Sequence, residues 1–136
     1  MKAKAVNHPN RRQKLGSTGE KLAAAHLTAQ GYRIIATNWR CRIGELDIVA
    51  WHEQCLAFIE VRTRHGRTAG TPEESITPHK KQRLLNLVDA FLQAEPGLLA
   101  LSGELPPCRI DVVAVEFEAT GELSRLEVIE NAIQAE

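Results

Sequence analysis

Two short apolar runs near the middle of the chain, joined by a very short polar connection, restrict the fold more than any other sequence feature. The runs occupy residues 46–51 and 56–61 of the 136 residues. Runs of this length, bounded by turn signals, are typical of strands buried on both faces. The connecting tripeptide His52-Glu53-Gln54 is short enough to make the two strands a hairpin. The sequence therefore predicts two adjacent strands inside a covered sheet.

These predicted strands carry charged side chains where a buried strand is normally apolar. Side chains alternate between the two faces of a strand. Glu45 and Asp47 therefore lie on one face of the first predicted strand, and Glu60 and Arg62 lie on one face of the second predicted strand. A two-residue loop would put Asp47 opposite Glu60, and Glu45 would then form a cross-strand pair with Arg62. Directly opposed side chains have Cβ atoms about 4.5–5.5 Å apart, close enough for two carboxylates to share one metal ion. A slip of one residue would remove the site.

Two carboxylates around one ion indicate phosphate chemistry. The expected ligands are Asp47 and Glu60, and the expected cofactor is Mg²⁺ or Mn²⁺. Such an ion acidifies a water molecule and neutralises charge on phosphorus, and Arg62 would stabilise the same charge. The structural alternative is that the acids are neutralised by neighbouring arginines. Glu45 could equally be half of a structural ion pair, and Glu20 is explained equally well by helix capping.

The remaining periodicity predicts the element order α-β-β-β-α-β-β. Ser17 and Glu20 fit a capping box for the first helix, and Thr77 caps the second helix with Pro78 in its first turn. Residues 65–76 read as a loop punctuated by Gly and Pro. The predicted helices end near Gly31 and Glu95, and the predicted strands are 32–40, 45–51, 55–64, 108–117 and 126–129. The sequence divides into a flexible basic arm (1–14), one domain (15–133) and a short tail (134–136).

Composition excludes several classes of protein. With 43% hydrophobic and 25% charged residues, the chain has the composition of a soluble globular protein. No apolar run approaches the about 20 residues of a membrane helix, and no apolar segment follows the basic N-terminus as in a secretory signal. Cys41, Cys55 and Cys108 are odd in number and lack metal-site spacing, so free thiols in the cytoplasm are expected.

A net charge of zero conceals a basic beginning and an acidic end of the chain. A nucleic acid could bind the basic part while avoiding the acidic part, although a solvated acidic face explains the gradient equally well. Asp111 lies in an apolar run and is expected to pair with Arg109 or another base. The candidate phosphate-binding residues flank the proposed centre, although a solvated basic rim explains them equally well, and they are Arg64, Arg67, Lys80, Lys81 and Arg83.

The acidic motifs also resemble those of a known family. The run Gly-Glu-Leu-Asp-Ile-Val at 44–49, followed by Phe-Ile-Glu-Val-Arg at 58–62, resembles the YraN-type family of predicted endonucleases. That family is distantly similar to Holliday junction resolvases within the PD-(D/E)xK nuclease fold, and the likeness extends over about residues 15–133. The resemblance implies a single α/β domain of the restriction-endonuclease type, with a mixed β-sheet flanked by helices.

The same resemblance implies roles for individual residues. Asp47 and Glu60 match the metal ligands, and Glu20 falls where related resolvases carry a further acid on the first helix. Arg62 falls where the nuclease motif usually has its catalytic Lys, and arginine prefers bidentate carboxylate partners and cannot act as a base. The implied function is a DNA endonuclease, acting on branched DNA. The alternative is an inactive nucleic-acid-binding or scaffold protein on the same fold.

A third hypothesis, a protein-interaction module without a nucleic-acid role, rests on the low net charge. Enzymes that cleave DNA junctions generally act as symmetric pairs, so a homodimer is compatible with the resemblance. Nothing in the sequence identifies a dimer surface.

Overall fold

A five-stranded mixed sheet with one helix on each face forms the domain. The computed structural model describes residues 18–66, 70–98 and 103–134. The sheet order follows the chain, with β3 and β4 parallel and every other neighbouring pair antiparallel. The elements are α1 (Thr18–Ala29), β1 (Arg33–Cys41), β2 (Gly44–His52), β3 (Cys55–His65), α2 (Pro78–Ala94), β4 (Cys108–Phe117) and β5 (Leu123–Ile133). The observed element order α-β-β-β-α-β-β and the restriction-endonuclease-like α/β fold class are those predicted from the sequence.

Each face of the sheet has its own apolar core, because successive residues of a strand point in opposite directions. On β2, Ile48 packs into the cluster under α1, whereas Val49 packs into the cluster under α2. Leu27 of α1 and Phe91 of α2 are the fully buried centres of their helices. Burial of a side chain of this size contributes about 1.5–3 kcal/mol, so both helices are held on the sheet mainly by these apolar faces.

The β2–β3 hairpin has the predicted register. Its pairs run from His52–Cys55 at the loop to Ile48–Ile59 in the centre of the sheet. Because the loop contains two residues, Glu53 takes a positive φ of 60° to close it. The confirmed register keeps the acids of both strands in the same region of the sheet, and this is what assembles the candidate site.

The start of each helix is fixed close to the sheet. Thr77 Oγ1 accepts a hydrogen bond from the amide of Lys80 at 3.2 Å, which confirms the predicted cap of α2. In α1, Gly19 is buried against the side chain of Thr63, and the hydroxyl of that threonine would collide with any Cβ at position 19. This close approach brings the next residue, Glu20, next to β3. The predicted cap at Ser17 and the predicted arm lie outside the described residues.

Two boundaries differ from the prediction. The final strand extends from Leu123 to Ile133 rather than over four residues, because its polar flanks pair with β4 at the edge of the sheet. The predicted loop after β3 contains a short 3-10 helix, Glu73–Ser75. Among the described residues, no helix combines the length and apolar character needed to cross a membrane.

Candidate active site

Asp47 and Glu60 meet where the β2–β3 ladder ends. Beyond the pair of Ile48 and Ile59, the amide of Val61 donates a hydrogen bond to Asp47 Oδ2 at 2.8 Å. The Asp47 carboxylate therefore accepts a hydrogen bond from the backbone of β3, and this bond holds the aspartate side chain against that strand. Glu60 is close enough for each of the two carboxyl groups to change the pKa of the other. The two acids predicted to converge thus form one partly buried pair.

Burial raises the pKa of both carboxyl groups, and the charge of Glu60 raises that of Asp47 further. For Asp47, burial is the largest cause and the charge of Glu60 the second, and the pKa lies well above its ordinary value despite the hydrogen bond from Val61. Burial also raises the pKa of Glu60, although Arg62 and Lys80 act in the opposite direction. Two crowded carboxyl groups favour either a shared proton or a cation between them.

Arg62 is held by two partners on the same side of the sheet. Its Nη1 lies 3.2 Å from Glu60 Oε2, and its Nε donates to Ser75 Oγ at 2.9 Å. The arginine side chain is 23% exposed and that of Glu60 15%. Ser75 belongs to the segment between β3 and α2, and no motif in the sequence indicated it. The guanidinium is therefore fixed beside the acidic pair through its Nε and Nη1 atoms.

The predicted ion pair between Glu45 and Arg62 is wrong. Glu45 is paired with Arg40 of β1 in the sheet, and the closest atoms of that ion pair are 3.8 Å apart. The reason is that β2 has neighbours on both sides, and the prediction considered only β3. Glu45 nevertheless remains close enough to raise the pKa of Asp47, and it lines the same cavity as Glu60.

The site opens into a cavity of about 220 Å³ between the sheet and the start of α2. Lys80 lines this cavity, whereas the adjacent Lys81 lines a different one next to β5. Arg64 lines yet another cavity, together with residues of β4 and β5. Arg67 lies outside the described residues. Of the five predicted phosphate-binding residues, Lys80 and Arg83 therefore line the cavity that Glu60 also lines.

Glu20 approaches the pair from the opposite face. It raises the pKa of Asp47, and it lines a second cavity together with Arg62 and His65. That cavity has a volume of about 460 Å³. Arg62 therefore borders both the cavity lined by Glu20 of α1 and the cavity lined by Lys80 of α2. The two predicted supporting acids, Glu20 and Glu45, are thus both near the centre, on either side of it.

The donor set suits a small divalent cation that takes most of its ligands from water and phosphate. No group of three or more His, Cys, Asp or Glu side chains spaced to hold a metal occurs within residues 18–66, 70–98 and 103–134. Asp47 Oδ1 and Glu60 Oε1 are the carboxylate oxygens left over by the hydrogen bonds to Val61 and Arg62. Mg²⁺ is commonly held by one or two carboxylates, with waters and phosphate oxygens completing its shell. The residues therefore fit this ion.

Asn38 is a second residue that sequence reasoning did not assign to the site. It stands on β1 between the residues paired with Ile48 and Leu46, hence level with Asp47. Its φ is +52°, its side chain is 6% exposed, and its Oδ1 has no hydrogen-bond partner among the described residues. A buried acceptor without a partner is typical of a position completed by water, an ion or a ligand.

Asp111 belongs to a separate buried network, as predicted. It is fully buried, and Arg109 donates to both of its carboxylate oxygens at 2.9 Å. The hydroxyl of Tyr32 donates to Asp111 Oδ2 at 2.8 Å, and the Arg109 guanidinium lies 2.6 Å from His52 Nδ1. This network joins the ends of β1, β2 and β4. Asp111 is therefore satisfied structurally.

Comparison with known sequences identifies relatives over most of the chain. A sequence model of the uncharacterised protein family UPF0102 matches residues 19–115, which include both acidic motifs. A UPF0102 protein of Symbiobacterium thermophilum is 46% identical over 123 residues, covering 90% of this chain and 98% of the relative. UPF0102 proteins of Roseiflexus castenholzii and Moorella thermoacetica are 45% and 44% identical, covering 91% and 89% of this chain and 96% of each relative.

Proposed function

The chain belongs to the UPF0102 family, and we propose that it is a metal-dependent DNA endonuclease that hydrolyses phosphodiester bonds, with branched DNA as its preferred substrate. The observation that carries this proposal is the partly buried pair of Asp47 and Glu60, crowded together beside two cations at the edge of an open cavity. The resemblance of the two acidic motifs to those of PD-(D/E)xK nucleases supports the same reaction class.

In this proposal Asp47 and Glu60 hold Mg²⁺ or Mn²⁺ through the carboxylate oxygens that face away from Val61 and Arg62. The ion, when bound, supplies positive charge that acidifies a water molecule and neutralises the phosphate. In the hydrolysis a water oxygen would form a bond to phosphorus and release a proton to solvent, while the bond from phosphorus to the leaving oxygen would break and that oxygen would take up a proton from solvent.

The cations of the site stabilise the charge that develops on the phosphate oxygens. Arg62 is fixed by Ser75 and Glu60, so its position does not have to be organised during the reaction. Lys80 lies across the cavity, on the first turn of α2, where the helix dipole also favours an anion. Glu20 and Glu45 are positioning residues that keep the centre negative and attractive to a divalent ion.

One observation favours the alternative, an inactive nucleic-acid-binding or scaffold protein. Arg62 occupies the position of the usual catalytic lysine, and its ion pair with Glu60 uses one of the two oxygens of a proposed metal ligand. An arginine cannot take a proton from water at neutral pH. In that case the basic residues around the cavity would still bind phosphate.

Cleavage of a four-way DNA junction and of a linear duplex of the same sequence, in Mg²⁺ and in Mn²⁺, tests the proposal. The expected result is cleavage by the natural chain and a loss of about 10²-fold or more in Asp47→Asn and Glu60→Gln. Asp89→Asn, which removes an exposed carboxylate of α2, is the matched control and keeps full activity. Equal cleavage by all four proteins would overturn the assignment, and DNA binding without any cleavage would support the alternative.

A further inference from the structure

The tip of the β1–β2 hairpin carries an unusual sequence for a tight turn. Cys41 and Gly44 form the last pair of the two strands, so Arg42 and Ile43 are the two residues of the turn. Turns of this length usually contain Gly, Asn or Asp, which adopt the required backbone easily. Arg42 is exposed, and Ile43 is 41% exposed. A single exposed isoleucine needs no explanation by itself. Ile43, however, follows Arg42 in the chain and is in contact with Arg83 through its carbonyl group.

This tip is fixed on α2. The Arg83 side chain of that helix donates from Nε to the carbonyl oxygen of Ile43 at 3.3 Å. Gly44 packs against the same helix, because a Cβ at this position would lie 3.4 Å from Leu87 and 3.5 Å from Arg83. The tip and the start of α2 therefore form one continuous surface.

Positive charge is concentrated on that surface. A cavity of about 300 Å³ is lined by the hairpin residues 40–45 and by Arg83. It contains three arginines and one acid, Glu45, which is paired with Arg40. The Arg40 side chain is 57% exposed. In a chain of zero net charge, such a local excess of cations is suited to a polyanion.

The cavity adjoins the one at the candidate active site. Gly44, Glu45 and Arg83 line both this cavity and the one that contains Glu60 and Lys80. A chain of phosphates that passes the acidic pair would therefore run along the arginines of the hairpin.

We propose that residues 40–44, with Arg83, form a second binding surface for the duplex arm of DNA that flanks the cleaved phosphate. Arg42 and Arg83 contact phosphates, and Ile43 packs against a sugar or a base exposed where the duplex is distorted. Apolar side chains inserted in this manner are a known means of holding distorted DNA. The inference rests on the proposed function, because it names the part of the substrate that the same site binds.

Salt dependence of DNA binding tests the phosphate contacts without requiring catalysis. Each phosphate contact contributes about 0.9 to the slope of log K against log salt concentration, so Arg42→Ala should lower that slope by about 1. Between about 50 and about 200 mM salt, the ratio of wild-type to variant affinity should then fall about threefold. Arg33→Ala removes an exposed arginine at the opposite end of β1 and should leave the slope unchanged. The measurement uses fluorescently labelled four-way junction DNA in EDTA, so that no cleavage occurs.

Ile43→Ser tests the apolar contact. It should weaken binding of the junction relative to the linear duplex, whereas Leu123→Ser, at a similarly exposed leucine of β5, should not. Unchanged slope in Arg42→Ala and unchanged junction preference in Ile43→Ser would overturn the inference. If the chain binds DNA through this surface but does not cleave it, the endonuclease proposal fails and only the DNA contact of the hairpin tip is retained. If the chain cleaves DNA and neither substitution changes its binding or cleavage, the endonuclease proposal stands and the inference about the hairpin tip fails.

Discussion

Replacing Asp47 by Asn should stabilise the metal-free protein while removing its proposed metal ligand. In the folded chain, burial and the charge of Glu60 raise the pKa of Asp47 well above its ordinary value. Asparagine has no charge to bury, and its amide oxygen can still accept the hydrogen bond from Val61. Its amide nitrogen can also donate to Glu60, which exchanges a repulsion for a hydrogen bond.

The magnitude follows from the cost of burying a charge that is incompletely compensated. A buried polar group without adequate partners costs about 1–3 kcal/mol, so removal of the charge at position 47 predicts a gain of this order at pH 8. The sign depends on pH. Well below the ordinary aspartate pKa of about 3.9, the carboxyl group is protonated in both states and costs little. As the pH rises, the unfolded chain loses its proton first, so the free energy of unfolding of the natural protein falls.

Urea unfolding between pH 4 and pH 8 in EDTA, followed by circular dichroism, measures this effect. The natural protein should lose stability with rising pH, and Asp47→Asn should lose less. Asp89→Asn, at an exposed position, should follow the natural protein to within about 0.5 kcal/mol. An Asp47→Asn protein that is less stable than the natural chain at pH 8, or that has the same pH dependence, would refute the reasoning.

Three further substitutions test the site and its frame. Arg62→Lys should increase the rate of DNA cleavage in Mg²⁺ by about tenfold or more, because an ammonium group restores the usual nuclease cation; an unchanged or lower rate would contradict this. Gly19→Ala places a methyl group against the hydroxyl of Thr63 and should cost about 1–3 kcal/mol in urea unfolding, whereas Gly97→Ala, with open space around it, should cost little. Asp111→Ala leaves a partly buried guanidinium without its carboxylate and should cost about 3–5 kcal/mol; a cost below 1 kcal/mol would show that the network is not structural.

The sequence predicted the centre of the site because that part of the geometry is local. A two-residue loop fixes the β2–β3 register, and counting from it brings Asp47 towards Glu60. The same counting from the turn at Arg42 and Ile43 would have placed Arg40 opposite Glu45, which is the pair that the structure has. The error in the partner of Glu45 was therefore avoidable.

Other contacts of the site involve residues that are distant in sequence or whose register is shifted, so the spacing of the motifs does not indicate them. Ser75 reaches Arg62 only because a short helical turn precedes α2, and nothing in the spacing of these two residues indicates it. Asn38 is level with Asp47 only because β1 has a bulge between Ile34 and Ala36, which shifts its register. The length of β5 was underestimated for a different reason. An edge strand has polar flanks, so only its apolar centre is recognisable.

Calorimetric titration of Mn²⁺ into the purified protein tests most directly whether Asp47 and Glu60 form a single metal site. One ion should bind per chain, and Asp47→Asn and Glu60→Gln should each abolish most of the binding heat, while Asp89→Asn should bind as the natural protein does. If both site variants bind Mn²⁺ with unchanged stoichiometry and affinity, the two carboxylates are not the ligands, and the endonuclease proposed for this chain loses its physical basis.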